Sequence, residues 1–457
     1  MKKIILVILH LTLLVTLSHA QHWEKVGGGV DPRYIYGLYE WNNKLAVCGG
    51  FGTIDGTAIN SVGVGWWDGS SWTAETGDFS STPPAKCFAE YQNELYIAGG
   101  FLKISGNKYC RKIAKLDSSG AWLPLGSGIT DNTNSSVRCM AVYNGDLYVG
   151  GGFYQVDSSI AATHIARWDG SNWYAIGPGI QGSSGLYDMT VFQNQLYVGG
   201  FMTSANGVQT SGIGRWNGTT WDSLGTGLNG PAKTLFADTV NNRLYVGGSF
   251  TIAGGVSTPT GVAYWDGNNW FPVGTNPYIP SWDLIIHNGI LYNTSTQYYA
   301  VNSLGDTIEY IGWYDGVNWR PVPGGLSSSG HALFEFQNEL YVGGAMQYVG
   351  DSLVNGIAKW IPGSLGVEES IKEKAVIKIT PNPAKDEVML ELNLKKQTKL
   401  RLQISDLNGK KVKAEAFSGN GKIAYKVNTS LFASGVYVFS VYDGQQLLGS
   451  GKVVVER

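Results

Sequence analysis

Charge is scarce in this sequence. Only 15% of its 457 residues are Asp, Glu, Lys or Arg, against about a quarter in an ordinary soluble domain. With sixty-three glycines and sixteen tryptophans, this composition describes an all-β protein with many turns. Cysteine is sparse as well. Cys48, Cys87, Cys110 and Cys139 show no CxxC spacing, which excludes the usual zinc knuckles; one or two disulfides stay open, with the pairing undetermined. Beyond residue 20 the histidines are His22, His164, His287 and His331, and none stands in HxH or HExxH spacing. GxSxG, P-loop and Rossmann glycine patterns are also missing. The sequence therefore implies no metal and no cofactor, and it favours a non-enzymatic role without closing the question.

Long apolar runs are missing too. The one apolar stretch, Ile4 to Leu17, is shorter than the 18 or so residues of a membrane-spanning helix. It follows Lys2 and Lys3 and precedes Ser18-His19-Ala20, the pattern of a secretory signal at residues 1–20 cut between Ala20 and Gln21. No transmembrane segment is expected in the mature chain. Residues 21–363 hold 16 Lys and Arg against 25 Asp and Glu, a balance of −9, whereas residues 364–457 hold 15 against 10, a balance of +5. All sixteen tryptophans lie at or before Trp360. Composition thus changes near residue 363, with a linker at 364–374. An acidic main domain argues against nucleic acid, whose affinity comes from basic phosphate contacts.

What the sequence does have is repetition. YNGDLYVGGGF at 143–153 returns as YQNELYIAGGF at 91–101, FQNQLYVGGF at 192–201 and FQNELYVGGA at 336–345, with weaker copies at 41–51, 240–250 and 287–295. The leading leucines, Leu45, Leu95, Leu147, Leu196, Leu244, Leu291 and Leu340, are 47 to 52 residues apart, the length of one four-stranded propeller blade. A second motif follows each copy, as in RWDGSNW at 167–173. Asn144-Gly145 marks a tight hairpin that wants positive φ. A turn centred on Gly170-Ser171 would make Trp168 and Trp173 cross-strand partners. The seventh repeat stops at Lys359-Trp360-Ile361-Pro362, while an orphan fourth strand, Trp23 to Gly29, opens the mature chain. The expected fold is all-β: a seven-bladed β-propeller over 21–363, closed by its N-terminal strand so that no sheet edge is left exposed. Glycine doublets such as Gly151-Gly152, followed by Trp168 and Trp173, resemble kelch and galactose-oxidase-like propellers. The interval between the two aromatics is shorter than in kelch repeats, and no copper or Tyr-Cys constellation matches, so the resemblance implies the fold alone.

Residues 375–457 alternate apolar and polar in short runs, including Val388–Leu392, Leu400–Ile404, Val436–Val441 and Lys452–Val455, the pattern of a small Ig-like β-sandwich. Its ordered motifs are Thr380-Pro381-Asn382-Pro383-Ala384 with Asp386, then Ser405 to Lys410, then Gly435-Val436-Tyr437-Val438, then Lys452-Val453-Val454. This set resembles the type A C-terminal sorting domain of the type IX secretion system of Bacteroidetes. The resemblance implies recognition by the type IX machinery after export through the periplasm, with Pro381, Asn382, Pro383, Gly435, Tyr437 and Lys452 carrying the motif. It further implies removal of the domain and a secreted or cell-surface passenger. The basic residues Lys395, Lys396, Lys410 and Lys411 read as a solvated face.

Asp68, Asp169, Asp266 and Asp315 recur at one hairpin of the repeat, where turn chemistry explains them better than catalysis. The informative positions are those that vary. Nine residues before each leading leucine stand Tyr36, Lys86, Arg138, Tyr187, Leu235, Trp282 and His331, followed by Gly37, Cys87, Cys139, Asp188, Phe236, Asp283 and Ala332. Aromatics and cations at the start of innermost strands suggest a binding funnel at the channel mouth, with flat apolar faces from Tyr36, Tyr187 and Trp282 and donors and positive charge from Lys86, Arg138 and His331. The sequence favours a non-catalytic module that binds a glycan or a protein partner. The alternative is a secreted carbohydrate-active enzyme using Asp188, Asp283, Tyr187 and His331.

Overall fold

The computed structural model describes residues 22–31, 34–59, 63–75, 84–104, 108–130, 135–361, 378–406, 411–443 and 446–456. The signal segment, the Ala20–Gln21 junction, the 364–374 linker and Lys410 lie outside the described residues. The chain divides into two compact units, one within Ala20–Gly363 and one within Ser364–Arg457. Every regular element among the described residues is a strand, and the sheets are antiparallel.

In the larger unit the repeat folds as expected for its turn residues. One sheet shows the pattern: Val137–Tyr143, Asp146–Gly151, Ile165–Trp168 and Trp173–Ala175, hydrogen-bonded in that order. Asn144 and Gly145 take φ of 49° and 85°, as the two-residue hairpin demands. Trp168 pairs with Trp173, their rings 5.2 Å apart at 52°. Asp169 Oδ1 accepts the Ser171 and Asn172 amides at 2.8 and 2.7 Å, which holds the connecting turn and keeps the carboxyl below its usual range. Asp68, Asp266 and Asp315 likewise accept the amides that hold their own turns.

Seven such sheets occur among the described residues. Their first strands are Ile35–Trp41, Ala85–Tyr91, Val137–Tyr143, Ile180–Phe192, Ala232–Asp238, Ser281–His287 and Gly330–Phe336. Each lies against the first strand of the next sheet, and Gly330–Phe336 lies against Ile35–Trp41. The arrangement is propeller-like. The core sits between sheets: Leu38, Leu45 and Val47 of the first pack on Ala332, Phe336 and Tyr341 of the last. Outer tryptophans tie neighbours together, with Trp173 Nε1 donating to Leu125 O at 3.1 Å and Trp270 Nε1 to Leu224 O at 3.0 Å. The N-terminal strand His22–Lys25 pairs with Ile357–Ile361, Trp23 opposite Trp360.

The sixth sheet departs from the rest. Asn293 stands where the others carry Val47, Ile97, Val149, Val198, Val246 or Val342, and it is fully buried. Among the described residues neither its Nδ2 nor its Oδ1 has a partner. A buried, unsatisfied amide costs about 1–3 kcal/mol. Asn293→Val is therefore expected to raise the thermal midpoint of the full chain; a lower midpoint would show that the amide is satisfied by buried water instead.

In the smaller unit, two of the expected strands are one. Val388–Leu392 and Leu400–Ile404 belong to a single 20-residue strand, Glu387–Asp406, which pairs with Lys411–Asn428 and, in its second half, with Gly435–Asp443. Lys378–Thr380 and Gln446–Val455 complete a five-stranded sheet. Leu390, Leu392, Leu400, Leu402, Ile404, Phe439 and Val441 form its apolar core.

Candidate functional site

The seven first strands share one irregularity. In each, the register with the second strand skips a residue: Ile35 faces Gly49 and Gly37 faces Cys48, leaving Tyr36 over. The residue left over in the other sheets is Lys86, Arg138, Tyr187, Lys233, Trp282 and His331. A β-bulge of this kind leaves one residue unpaired and re-aims its side chain. The glycine doublets make the bulge fit. A Cβ on Gly49 would lie 1.9 Å from Tyr34 O, and one on Gly151 would lie 2.1 Å from Ser136 O. In the sixth sheet Ser295 takes the glycine's place and donates its hydroxyl to Pro280 O at 3.0 Å.

All seven bulge residues are half-buried and line one cavity of about 400 Å³. The six expected funnel residues, Tyr36, Lys86, Arg138, Tyr187, Trp282 and His331, are thus brought together. The fifth position is corrected: Lys233 lines the cavity and Leu235 is core, as Thr234 likewise replaces Phe236. The hairpin of that repeat carries four residues between Asp238 and Arg243, where the third sheet has two between Tyr143 and Asp146, so counting back from Leu244 stops two residues late. The four-residue turn Thr239-Val240-Asn241-Asn242, two longer than its counterparts, was the signal for it in the sequence.

Each cation at the mouth lies over a ring. Lys86 Nζ lies 4.1 Å from the Tyr36 centroid, the Arg138 guanidinium 4.6 Å from Tyr187, and Lys233 Nζ 4.8 Å from Trp282. His331 stacks on Tyr36 at 5.2 Å and 5°, and lies 5.4 Å from Trp282. Burial, with Lys86 adding repulsion, lowers the His331 pKa to about 4, against the pull of the Ile35 carbonyl. The imidazole is therefore neutral at pH 7, and the positive charge expected of it comes from Lys233. Burial lowers Lys233, and burial with repulsion from Arg138 lowers Lys86.

Below this ring, at the cavity wall, lie Asp188 and Asp283. Burial raises Asp188 to about 7, with repulsion from Asp283 helping, and raises Asp283 to about 6. Asp188 accepts the Leu235 and Met189 amides at 2.7 and 2.8 Å. Asp283 accepts the Leu333 and Leu284 amides at 2.7 and 2.8 Å, and the Thr234 hydroxyl at 3.2 Å. Each carboxylate thus satisfies a backbone donor on the first strand of the next sheet, a clasp between sheets. Cys48, Cys87, Cys110 and Cys139 are all free thiols. Burial pushes Cys87 and Cys110 up to about 12, which leaves them unreactive. Among the described residues no group of three His, Cys, Asp or Glu is placed to hold a metal ion.

In the smaller unit the separated motifs meet along the last strand. Asn382 Oδ1 accepts the Val454 amide at 2.8 Å, and Ala384 bridges Val455. Gly435 pairs with Val455, Tyr437 with Val453 and Val438 with Lys452. Tyr437 donates its hydroxyl to Ala433 O at 3.0 Å and packs on Phe432 at 5.0 Å. Residues 378–456 match the secretion system C-terminal sorting domain. The sorting domain points to type IX secretion, to a secreted or cell-surface location, and to contact with the secretion machinery. No helix among the described residues is long and apolar enough to cross a membrane.

No curated protein matches the chain. Similar solved structures include the computationally designed protein Ika8, at 14% identity over 74% of this chain and 99% of that one, with a TM-score of 0.44. BamB from Moraxella catarrhalis is similar at 12% identity, 71% and 82% coverage and a TM-score of 0.35. The tricorn protease is similar at 10% identity, 91% and 44% coverage and a TM-score of 0.33. BamB and tricorn are propeller-like folds.

Proposed function

We propose that residues 21–363 form a kelch-like propeller of seven blades, closed by the N-terminal strand, which binds a glycan or a protein partner without catalysis at its channel mouth. In this reading residues 1–20 are a signal peptide removed between Ala20 and Gln21, 364–374 a linker, and 375–457 an Ig-like sorting domain that gives the address. The observation that carries the binding role is the convergence of the seven bulge residues, whose aromatics and cations leave the sheet ladder and line one cavity. Aromatic faces and charged donors around a concave site suit a ligand with flat apolar faces and polar edges.

The address is tested by deletion. Removing residues 375–457 is expected to leave the propeller in the periplasm, and fractionation with immunoblotting reads the outcome. Unchanged surface display would overturn the sorting role.

A second reading, a carbohydrate-active enzyme, is favoured by one observation: two cavity carboxyls raised to about 7 and about 6. A general acid needs such a value. Against it, both carboxylates already accept backbone amides on each oxygen. Release of reducing ends from a polysaccharide that is lost in Asp188→Asn, with binding retained, would establish the enzyme.

A further inference from the structure

We propose that the ligand is an acidic polysaccharide, with a carboxylate or sulfate seated between Lys86 and Arg138 and the face of a sugar ring laid on Trp282. This rests on the binding reading above and adds the ligand's charge to it. Lys86 and Arg138 are the bulge residues of adjacent first strands and line the same cavity wall. They are close enough to repel, since the Arg138 charge works against that of Lys86. Among the described residues neither Lys86 nor Lys233 takes part in an ion pair; each lies over an aromatic ring instead. Like charges held together at a partly desolvated wall are stabilised by an anion from outside.

Asp188 and Asp283 do not fill that role at Lys86. Both direct their oxygens to backbone amides, and the raised pKa of Asp188, about 7, leaves it only partly charged near neutral pH. The domain's balance of −9 repels anions at a distance, so recognition must come from these local cations, and it weakens as salt screens them.

The aromatic path argues for a chain and against a single small anion. From His331, successive centroids at Trp282, Tyr187 and Phe201 are 5.4, 6.4 and 5.8 Å apart, and Phe201 is exposed. That path is longer than one sugar ring.

The test measures binding of the full mature chain to polygalacturonate, dextran sulfate and uncharged dextran. At least one acidic polymer is expected to bind ten-fold or more tighter than dextran; which one does so tells carboxylate from sulfate. The pair Lys86→Met and Arg138→Met is expected to remove that preference with an unchanged melting curve, while Trp282→Ala weakens every polymer that binds. Dextran bound as tightly as both acidic polymers, with Trp282→Ala still weakening it, would overturn the charge assignment and leave the binding site standing. No binding of any polymer would overturn the polysaccharide assignment and leave a protein partner for the site.

Discussion

A Trp282→Ala, Arg138→Ala double variant is expected to lose retention on its ligand while melting as the parent does. Trp282 and Arg138 are half-buried bulge residues, outside the hydrogen-bonded register that holds their sheets. Trp282 touches His331, Tyr187 and Lys233, and Arg138 covers Tyr187, so truncation removes contacts at the mouth and leaves the core between sheets intact. A stacked ring contributes on the order of 1 kcal/mol beyond its buried area, and a hydrogen bond to a charged group about 1.5–3 kcal/mol. Together they amount to roughly a hundred-fold in affinity, at about 1.4 kcal/mol per factor of ten. That is enough to abolish capture by a weak site that depends on many contacts along a polymer. Pull-down on the glycan that retains the parent, read beside a thermal melt, checks it. A double variant that binds as the parent does would place the ligand elsewhere.

Deleting residues 21–30 is expected to be the most damaging truncation of the larger unit. His22–Lys25 supplies the outer strand of the last sheet. Trp23 is buried against Trp360 at 5.0 Å, and Val26 and Val30 are buried as well. The segment is bonded to both neighbours: Val26 O accepts Trp72 Nε1 at 2.9 Å, Gly29 O accepts the Asp55 amide at 2.9 Å, and the Val30 amide donates to Asn355 O at 2.8 Å. Loss of one buried tryptophan costs about 3–5 kcal/mol. Full burial of each valine contributes about 1.5–3 kcal/mol more. These losses approach the whole stability of an ordinary domain, so the deletion should unfold the unit, or lower its midpoint far beyond Trp23→Ala alone. An exposed tail would be trimmed without effect, and an unchanged midpoint after the deletion would show that the last sheet holds without this strand.

The two largest effects were legible in the sequence to different degrees. The fate of residues 22–25 could be read by matching Trp23 to Trp173 and noticing a last repeat without its fourth strand. The mouth was legible at six positions because a constant hairpin makes distance from the leading leucine a reliable ruler. It failed at the fifth, where two more residues in the turn moved Lys233 into the place given to Leu235. The charge of His331 was not legible at all. Its low pKa comes from burial between Tyr36 and Trp282, residues contributed by other sheets.

By itself the sequence determined what is local and repeated: strand periodicity, turn residues with positive φ, the Trp168–Trp173 pairing, and the export address written in motifs from Pro381 to Lys452. These depend on neighbours a few residues apart, whose geometry the backbone dictates wherever the chain goes. Only the tertiary structure decided which bulge residues face one another, that Lys233 is among them, that Asp188 and Asp283 clasp the next sheet, that all four thiols stay free, and that Asn382 and Gly435 meet on one final strand. Those outcomes depend on distances between neighbouring sheets or across a folded sheet and on how far each group is removed from water, quantities that belong to the packed chain and to no segment of it.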